Sequence, residues 1–241
     1  MAMFEADTFN FQRALIKGRL QARYKRFFAD IELDTGETIT AHCPNPGKML
    51  GLLAPGTEAL VTPLNDPSKK LQYRLEALKE RDCWVGVNTQ WPNRLIAQAI
   101  AADLIPEISG YTSIIPEVKY GRNSRIDLLV TGHPDRPDAY VEIKNVHLSR
   151  RDGHAEFPDC VTERGAKHLL ELIDMVHQGY RAAVVFCVQR NDVTTFDIAR
   201  DCDPGFARAY DQARAAGVEF ISISWEMSAE GLRFHRALTV L

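Results

Sequence analysis

The sequence predicts an α+β protein of two domains, a small N-terminal β-barrel followed by an α/β domain built on a mixed sheet. Two observations lead to this fold class. Residues 1–85 contain four or five short extended segments separated by turns, with no helical periodicity between them. From residue 86 to 241, helical and extended segments alternate, as they do in domains whose central sheet is covered by helices.

The composition describes a globular chain of ordinary type. It has 241 residues, of which 45% are hydrophobic and 25% charged. No run approaches the roughly 18 apolar residues of a membrane helix, and the N-terminus lacks the basic and apolar regions of a secretory signal. We therefore expect a cytoplasmic protein with no membrane partner. Five cysteines without a Cys-x-x-Cys pair argue against a disulfide framework and a structural zinc site.

The predicted barrel strands alternate apolar and polar residues. "DTGE" at 34–37, between two such runs, is a hairpin signal. A small barrel or partly open Greek key fits this pattern, and the OB-fold is the usual barrel of this size that binds nucleic acid. The predicted segments are "RLQARYKRFFADIEL" (19–33), "TITAHC" (38–43), "TEALVTPL" (57–64) and "LQYRLEALKE" (71–80).

Basic residues are concentrated near the start of this barrel, although the net charge is −3. Residues 13–26 contain six basic side chains and no acidic one, and they lead directly into two phenylalanines. Cations can contact phosphates while aromatic rings stack on bases, so the segment suits nucleic acid. A solvated strand whose aromatic residues belong to the core is the alternative. The predicted DNA-binding residues are Arg23, Tyr24, Lys25, Arg26 and Phe27.

The second domain is predicted to begin with a helix capped by Asn93, because apolar residues follow at helical spacing. Their stripe is Leu95, Ile96, Ala99 and Ile100. Three extended segments come next, then a helix ending at Gly179, an apolar strand, a helix ending at Gly217 and a last strand. In order these are residues 113–121, 125–132, 139–148, 160–179, 181–189, 203–217 and 218–227.

Two carboxylates are predicted to face each other across a hairpin. "IDLLV" and "YVEIK" flank a turn-rich loop at 132–137, and symmetric pairing about this loop sets Asp127 opposite Glu142. Directly opposed Cβ atoms lie about 5 Å apart, where like charges destabilise each other. A hard cation such as Mg²⁺ or Mn²⁺ would relieve the repulsion. Lys144 shares the face of Glu142, and a surface or structural ion pair is the alternative for these two residues.

An Asp on one strand and Glu-x-Lys on the next resembles the PD-(D/E)xK nuclease superfamily. Asp127, Glu142 and Lys144 carry the resemblance, with Ile126 where the motif's name has Pro. The resemblance implies that Asp127 and Glu142 hold the metal and that all three residues are catalytic. On the following helix, Glu163 and Lys167 are four residues apart and are predicted to support the catalytic site, with a solvated row of ion pairs as the alternative. Arg122 and Arg125 flank the predicted catalytic site, where they either contact a phosphate or form surface ion pairs.

Longer strings are similar to the sugar fermentation stimulation protein A family over roughly residues 10–225. They include "RYKRFFADIELDTGETITAHCPNPGKMLG", "WVGVNTQWPNRLI", "EVKYGRNSRIDLLV" and "FPDCVTERGAKHLLEL". The resemblance implies an OB-type barrel, a C-terminal domain of restriction-endonuclease-like type, and DNA binding with little sequence preference. The family pattern has Thr and Glu where this chain has Pro46 and Gln98. Gln98 removes a third carboxylate, for which Glu117 is a candidate substitute.

Three functions remain open from the sequence. The first is a Mg²⁺-dependent nuclease that acts on DNA, in which Lys144 positions or activates water. The second is a DNA-binding protein that keeps a nuclease fold without cleaving and acts in the regulation of sugar metabolism. The third, carbohydrate binding, rests only on the family's name, although OB barrels also bind oligosaccharides.

Overall fold

The computed structural model describes residues 7–121 and 124–241, which form three α-helices and three sheets. The helices are α1 Pro92–Ala101, α2 Glu163–His177 and α3 Pro204–Ala215, with a 3-10 turn at Pro106–Ile108. The strands before α1 are β1 Thr8–Asn10, β2 Ile16–Tyr24, β3 Phe28–Leu33, β4 Thr38–His42, β5 Glu58–Pro63, β6 Tyr73–Glu80 and β7 Cys83–Gly86. Those after it are β8 Ser113–Tyr120, β9 Ser124–Thr131, β10 Ala139–Val146, β11 Leu148–Arg151, β12 Gly153–Phe157, β13 Arg181–Val188, β14 Val193–Ile198, β15 Glu219–Met227, β16 Gly231–Ala237 and β17 Thr239–Val240.

The N-terminal strands form the predicted OB-type barrel. The order β4-β3-β2-β5-β6-β7 is closed by a parallel pairing of β4 with β6, so five strands, β2 to β6, make the barrel. Its interior is filled by alternate residues of each strand, such as Ala29, Ile31 and Leu33 on β3. Gly18 on β2 has no room for a side chain, since a Cβ there would lie 2.6 Å from the carbonyl oxygen of Glu32.

The sequence pattern predicts one extended segment from Arg19 to Leu33. The structure instead has two strands there, β2 and β3, joined by a tight turn. Lys25 and Arg26 take left-handed backbone conformations, with φ of 48° and 64°, and Phe27 completes the turn. The chain reverses here, and Leu20 before the turn and Ala29 after it both belong to the barrel core. Of the residues predicted to contact DNA, Lys25, Arg26 and Phe27 therefore lie at the exposed tip of the β2–β3 hairpin, whereas Arg23 and Tyr24 end strand β2.

The C-terminal domain contains the predicted mixed sheet, in the order β1-β16-β15-β13-β10-β9-β8. The central strands β10, β13 and β15 are parallel, and the outer pairings are antiparallel. β1 joins this sheet at its far edge, although it precedes the barrel in the chain. Helix α1 packs on one face with core residues such as Ile96 and Val141, and α2 and α3 pack on the other with residues such as Leu169 and Phe206.

The C-terminal domain also contains a four-stranded sheet, β11-β12-β14-β17, which the sequence pattern does not predict. Its strands are two to six residues long, too short to show a clear alternation. Ala155 and Phe196 attach it to the core under α2 and α3. The short strands are stable only because they pair with each other and pack on that core.

Helix α1 begins two residues earlier than predicted, at Pro92, and Asn93 is not its cap. Trp91 precedes the first turn without a side-chain capping bond, and Pro92 takes the first helical position, where its missing N–H costs nothing. The predicted stripe is correct, because Leu95, Ile96, Ala99 and Ile100 are all buried. No helix in the described ranges is both long enough and apolar enough to cross a bilayer.

A buried arginine joins the barrel to the C-terminal domain. Arg190, with no exposed surface, donates to Glu80 of the barrel and to Asp192, each at 2.7 Å, and to the carbonyl oxygen of His147 at 2.9 Å. Beside it the backbone N–H of Gly86 donates to the carbonyl oxygen of Gln189 at 2.8 Å. The guanidinium is fully paired, which is the condition for burying a charge.

Replacing Arg190 by Leu is expected to lower the free energy of unfolding by about 3–5 kcal/mol, because Glu80 and Asp192 lose their cation. Urea titration followed by circular dichroism measures the change. Arg200→Leu is the matched control, since the pair of Arg200 with Asp211 is about half exposed and contributes less than about 1 kcal/mol. Equal losses in the two variants would contradict the interpretation.

Candidate active-site cleft

The two predicted carboxylates lie in register on neighbouring strands. β9 and β10 are antiparallel, with Val130 opposite Ala139 and Leu128 opposite Val141. The ladder pairing ends at Leu128 and Val141, and the same register continued by one step sets Asp127 opposite Glu142. The predicted hairpin register is therefore the observed one, and the apolar residues on both strands fix it, because a slip of one position would turn the core residues outward.

Glu142 is 3% exposed and is held by two side-chain donors, the ammonium of Lys144 and the imidazole of His168. Its Oε1 accepts a hydrogen bond from Lys144 Nζ at 2.6 Å and a short one from the ring of His168. Burial by itself raises the pKa of Glu142, but His168 and Lys144 outweigh it and hold the pKa below its usual range. Its other oxygen, Oε2, is buried and has no hydrogen-bond partner among the described residues. The site therefore keeps one charged oxygen available for a ligand.

Asp127 is held by two neutral donors. Its Oδ2 accepts from the backbone N–H of Ile143 at 2.7 Å, and its Oδ1 accepts from Asn93 Nδ2 at 2.9 Å. Burial and the negative charge of Glu142 raise the pKa of Asp127 despite these bonds. Burial is the larger cause of the raised pKa, and the repulsion by Glu142 that the sequence predicts adds to it.

Both carboxylates open into a cleft of about 560 Å³ between β8 to β10 and the first turns of α2. Thr162 caps α2 by accepting from the N–H of Gly165, and its own N–H donates to Asp203 at 2.7 Å. The positive end of the α2 dipole therefore borders the cleft, where it favours an anion. The lining residues are Glu117, Ser124, Arg125, Asp127, Glu142, Ile143, Lys144, Thr162, Arg164, Gly165, Lys167 and His168.

The two residues predicted on α2 have different positions. Lys167 lines the cleft, and its Nζ lies 3.6 Å from Glu171, one turn further along the helix. Glu163 is exposed at the first position of α2 and is not among the cleft residues. The geometry brings Lys167, but not Glu163, to the carboxylate pair.

The third carboxylate expected in the family does not come from α1. The side chain of Gln98, on α1, donates a hydrogen bond at 3.1 Å to the carbonyl oxygen of Thr8 on β1. Glu117 lines the cleft, and the β8–β9 register on both sides of it sets it opposite Asp127. Its backbone is in the left-handed region, with φ of 57°, a conformation that is rare for Glu and found at functional sites.

The residues predicted to bind DNA in the barrel have two kinds of environment. Arg23 is used internally, because it donates to the carbonyl oxygens of Arg26 at 2.9 Å and Asn45 at 2.6 Å. Tyr24 stacks on Phe28 with ring centroids 5.5 Å apart. Lys25, Arg26 and Phe27 are exposed at the hairpin tip. Arg125 is exposed in the cleft itself, whereas Arg122 lies outside the described residues.

A chain of contacts links this hairpin to the cleft. Arg23 fixes the loop after β4 through Asn45, and the backbone N–H of Met49 in that loop donates to Asp159 at 2.8 Å. Asp159 also contacts His147, whose hydrogen bond holds the pKa of Asp159 below its usual range although burial opposes it. Four residues later α2 begins at the cleft. Barrel and cleft are thus positioned relative to each other through fixed polar contacts.

The residues present fit a hard divalent cation. Asp127 and Glu142 supply oxygen ligands, and a cation would neutralise their repulsion and pair with the orphaned Oε2 of Glu142. Within the described part of the chain, no group of three or more His, Cys, Asp or Glu side chains has metal-binding geometry. Mg²⁺ suits such a sparse site, because it usually keeps several waters.

The roles of Asn93 and His168 do not follow from the sequence pattern. The pattern around Asn93 predicts a helix cap, and nothing in it indicates the contact with Asp127, 34 residues away. His168 offered one signal, its spacing of four from Arg164, and the Nε of Arg164 does lie 3.3 Å from His168 Nε2. That spacing shows a shared helix face but not which residue the face meets.

Comparison with known proteins agrees with this architecture. Residues 90–231 match the family model described as the sugar fermentation stimulation protein RE domain, and residues 22–87 match the SfsA N-terminal OB domain. Curated relatives named sugar fermentation stimulation protein homolog include one from Caulobacter vibrioides, 50% identical over 93% of both chains. Another, from Brucella anthropi, is 53% identical over 87% of this chain and 90% of that one.

A solved structure has the same fold over nearly the whole chain. It is the Pyrococcus furiosus SfsA in complex with Ca²⁺, with a TM-score of 0.86, 25% identity, and coverage of 97% of this chain and 98% of that one. The chain therefore belongs to the sugar fermentation stimulation protein family, with an N-terminal OB domain and a restriction-endonuclease-like C-terminal domain.

Proposed function

We propose that the protein is a divalent-metal-dependent nuclease that hydrolyses phosphodiester bonds of DNA in the cleft between β8 to β10 and α2. The observation that carries the proposal is the opposition of Asp127 and Glu142 in the cleft, with Lys144 on the same strand and one buried oxygen of Glu142 without a partner. Such a pair is destabilising unless it is compensated, and a divalent cation would add to the compensation that Lys144 already gives Glu142.

In this proposal Asp127 and Glu142 hold Mg²⁺ or Mn²⁺. The solved relative from Pyrococcus furiosus was obtained with Ca²⁺, which supports divalent-metal binding in the family. A bound metal would stabilise charge on the scissile phosphate and lower the pKa of an attacking water. Glu117, opposite Asp127, is the candidate third carboxylate, and its exposure allows it to act through water.

The remaining cleft residues orient these groups. Lys144 is held by Glu142 with its side chain 12% exposed, so its ammonium can donate to a water or to a phosphate oxygen at the cleft wall. His168 fixes the Glu142 carboxylate from α2, and Asn93 and the N–H of Ile143 fix Asp127. Preorganised donors of this kind cost no rearrangement when charge develops during the reaction.

The same surfaces support DNA as the partner. The hairpin tip presents two cations and an exposed ring, Lys25, Arg26 and Phe27. Arg125, Arg164 and Lys167 line the cleft beside the N-terminus of α2. The cations can bind phosphates and the exposed ring can stack on a base face. Neither contact reads the base edges, so the proposed binding has little sequence preference.

The second candidate is a DNA-binding protein that does not cleave and acts in the regulation of sugar metabolism. One observation favours it, because Glu142 is already paired with Lys144 and His168 in an arrangement that is stable without a metal. Metal binding and cleavage distinguish the two candidates.

Asp127→Ala is expected to weaken the binding of Mg²⁺, Mn²⁺ and Ca²⁺ by at least about tenfold, because the substitution removes one of the two proposed carboxylate ligands. Isothermal titration calorimetry measures the affinity. Asp135→Ala, at an exposed loop position, removes the same charge and is the control. Equal affinities in wild type and Asp127→Ala would exclude the metal site.

Glu142→Gln and Lys144→Met are each expected to lower metal-dependent cleavage of DNA by about 100-fold or more. Single-stranded, duplex and flapped DNA are incubated with Mg²⁺, Mn²⁺ or EDTA. Glu230→Gln, on the exposed β15–β16 turn, is the control. Cleavage that persists in EDTA or in Glu142→Gln would contradict the mechanism, and binding without cleavage under every condition would favour the second candidate.

Charge reversal at the hairpin tip, Lys25→Glu with Arg26→Glu, is expected to weaken binding of all DNA sequences to a similar degree. The slope of the logarithm of the binding constant against the logarithm of the salt concentration should also become shallower by about one per lost phosphate contact. Fluorescence anisotropy at several salt concentrations measures both quantities. Arg236→Glu, on the exposed part of β16 far from β9 in the sheet order, is the control. Unchanged affinity would remove the hairpin from the DNA interface.

A further inference from the structure

A second cleft lies on the other side of the α1 N-terminus, between the barrel and β1. Its volume is about 270 Å³, at the small end for ligand pockets. Three arginines line it, Arg13, Arg74 and Arg94, and the lining described by the structure contains no acidic residue. In a chain whose net charge is −3, this concentration of positive charge marks the cleft as distinct from the surrounding surface.

Arg74 is held in a fixed orientation by a buried carboxylate. Glu76 has no exposed surface, and its Oε1 accepts from Arg74 Nε at 2.7 Å. The Glu76 carboxylate accepts three further hydrogen bonds, each at 2.7 Å, from the hydroxyl of Thr62, the amide of Asn88 and the indole N–H of Trp91. One terminal nitrogen of Arg74 donates to Gln90 at 3.2 Å. The other terminal nitrogen has no hydrogen bond to a described residue, so Arg74 keeps donors for a ligand.

Arg94 and Arg13 bring further cations to the same cleft. The Arg94 guanidinium lies 5.7 Å from the centroid of the Trp91 ring, and that of Arg74 lies 5.5 Å from it. Arg94 is exposed, and its guanidinium makes no hydrogen bond to another described residue. Arg13 is anchored by its Nη1 on the carbonyl oxygens of Pro63 and Leu64. Glu76 neutralises one of the three charges, so the cleft has a net charge of about +2, matched by a phosphate monoester of about −2.

The rest of the lining suits the organic part of a phosphate ester. Phe9 and Phe11 pack on Trp91 with ring centroids 5.1 and 5.4 Å apart, and Pro63 and Leu64 complete an apolar wall. A guanidinium binds phosphate oxygens in a bidentate manner, which a carboxamide or hydroxyl does not reproduce. We infer that the cleft formed by Arg13, Arg74, Arg94 and Trp91 is a binding site for a phosphate ester.

This site is independent of the proposed nuclease activity, but it shares an element with the cleft described above. Asn93, which holds Asp127, and Arg94 are consecutive residues in the first turn of α1. A phosphate bound at Arg94 therefore lies on the same helical turn that orients Asp127. The phosphate can belong to a free nucleotide or to the backbone of a DNA strand, and both present the same chemistry to the arginines.

Calorimetry in EDTA, where no metal-dependent cleavage occurs, tests the inference. The probes are dAMP, adenosine and a ten-residue oligothymidylate, each titrated into wild type, Arg94→Gln and Arg13→Gln. Arg208→Gln, exposed on α3 on the opposite face of the sheet, is the control. We expect dAMP or the oligonucleotide to bind wild type and the control equally, and the two cleft variants about tenfold more weakly.

The pattern of binding identifies the source of the phosphate. Weakened dAMP binding in the cleft variants indicates a free ester, and weakened oligonucleotide binding without dAMP binding indicates a backbone phosphate. Adenosine binding as tight as dAMP, no binding of any probe, or equal affinity in all variants would each overturn the inference. A protein that cleaves DNA but fails this test would retain the proposed function and lose only this site.

Discussion

The opposition of Asp127 and Glu142 across β9 and β10 is the constraint on which the C-terminal domain is organised. Two buried carboxylates on neighbouring strands must be compensated, and each neighbouring element supplies part of the compensation. α1 provides the amide of Asn93, and α2 provides His168. β10 provides Lys144 and the backbone N–H of Ile143. The helices cover the sheet to bury apolar residues, and the same packing brings these polar groups to one point.

Two further buried charges position the barrel against this domain. Arg190 joins Glu80 of the barrel to Asp192, and Glu76 collects donors from β5, β6 and the start of α1. Such groups are costly to bury unless every bond is made, so they favour one relative arrangement of the two domains. This arrangement leaves a carboxylate-lined cleft on one side of the α1 N-terminus and an arginine-lined cleft on the other.

Much of the fold and the centre of the site were predictable from local pattern. The hairpin at residues 34–37, the apolar stripe of α1 and the register that faces Asp127 with Glu142 all follow from periodicities of two and 3.6 residues. The turn at Lys25 and Arg26 was not predictable, because basic residues carry no signal for a left-handed backbone. The same holds for the short strands of the second sheet, whose stability comes from partners distant in sequence.

The sequence by itself determined the two-domain α+β class, the strand that carries Glu142 and Lys144, and its pairing with the strand that carries Asp127. Only the tertiary structure decided which side chains complete the site. Asn93 reaches Asp127, His168 reaches Glu142, and Glu163 remains outside. Periodicity specifies the face on which a residue lies, whereas the partner across that face depends on how helices and sheet pack. That packing is set by the whole core and not by neighbours along the chain.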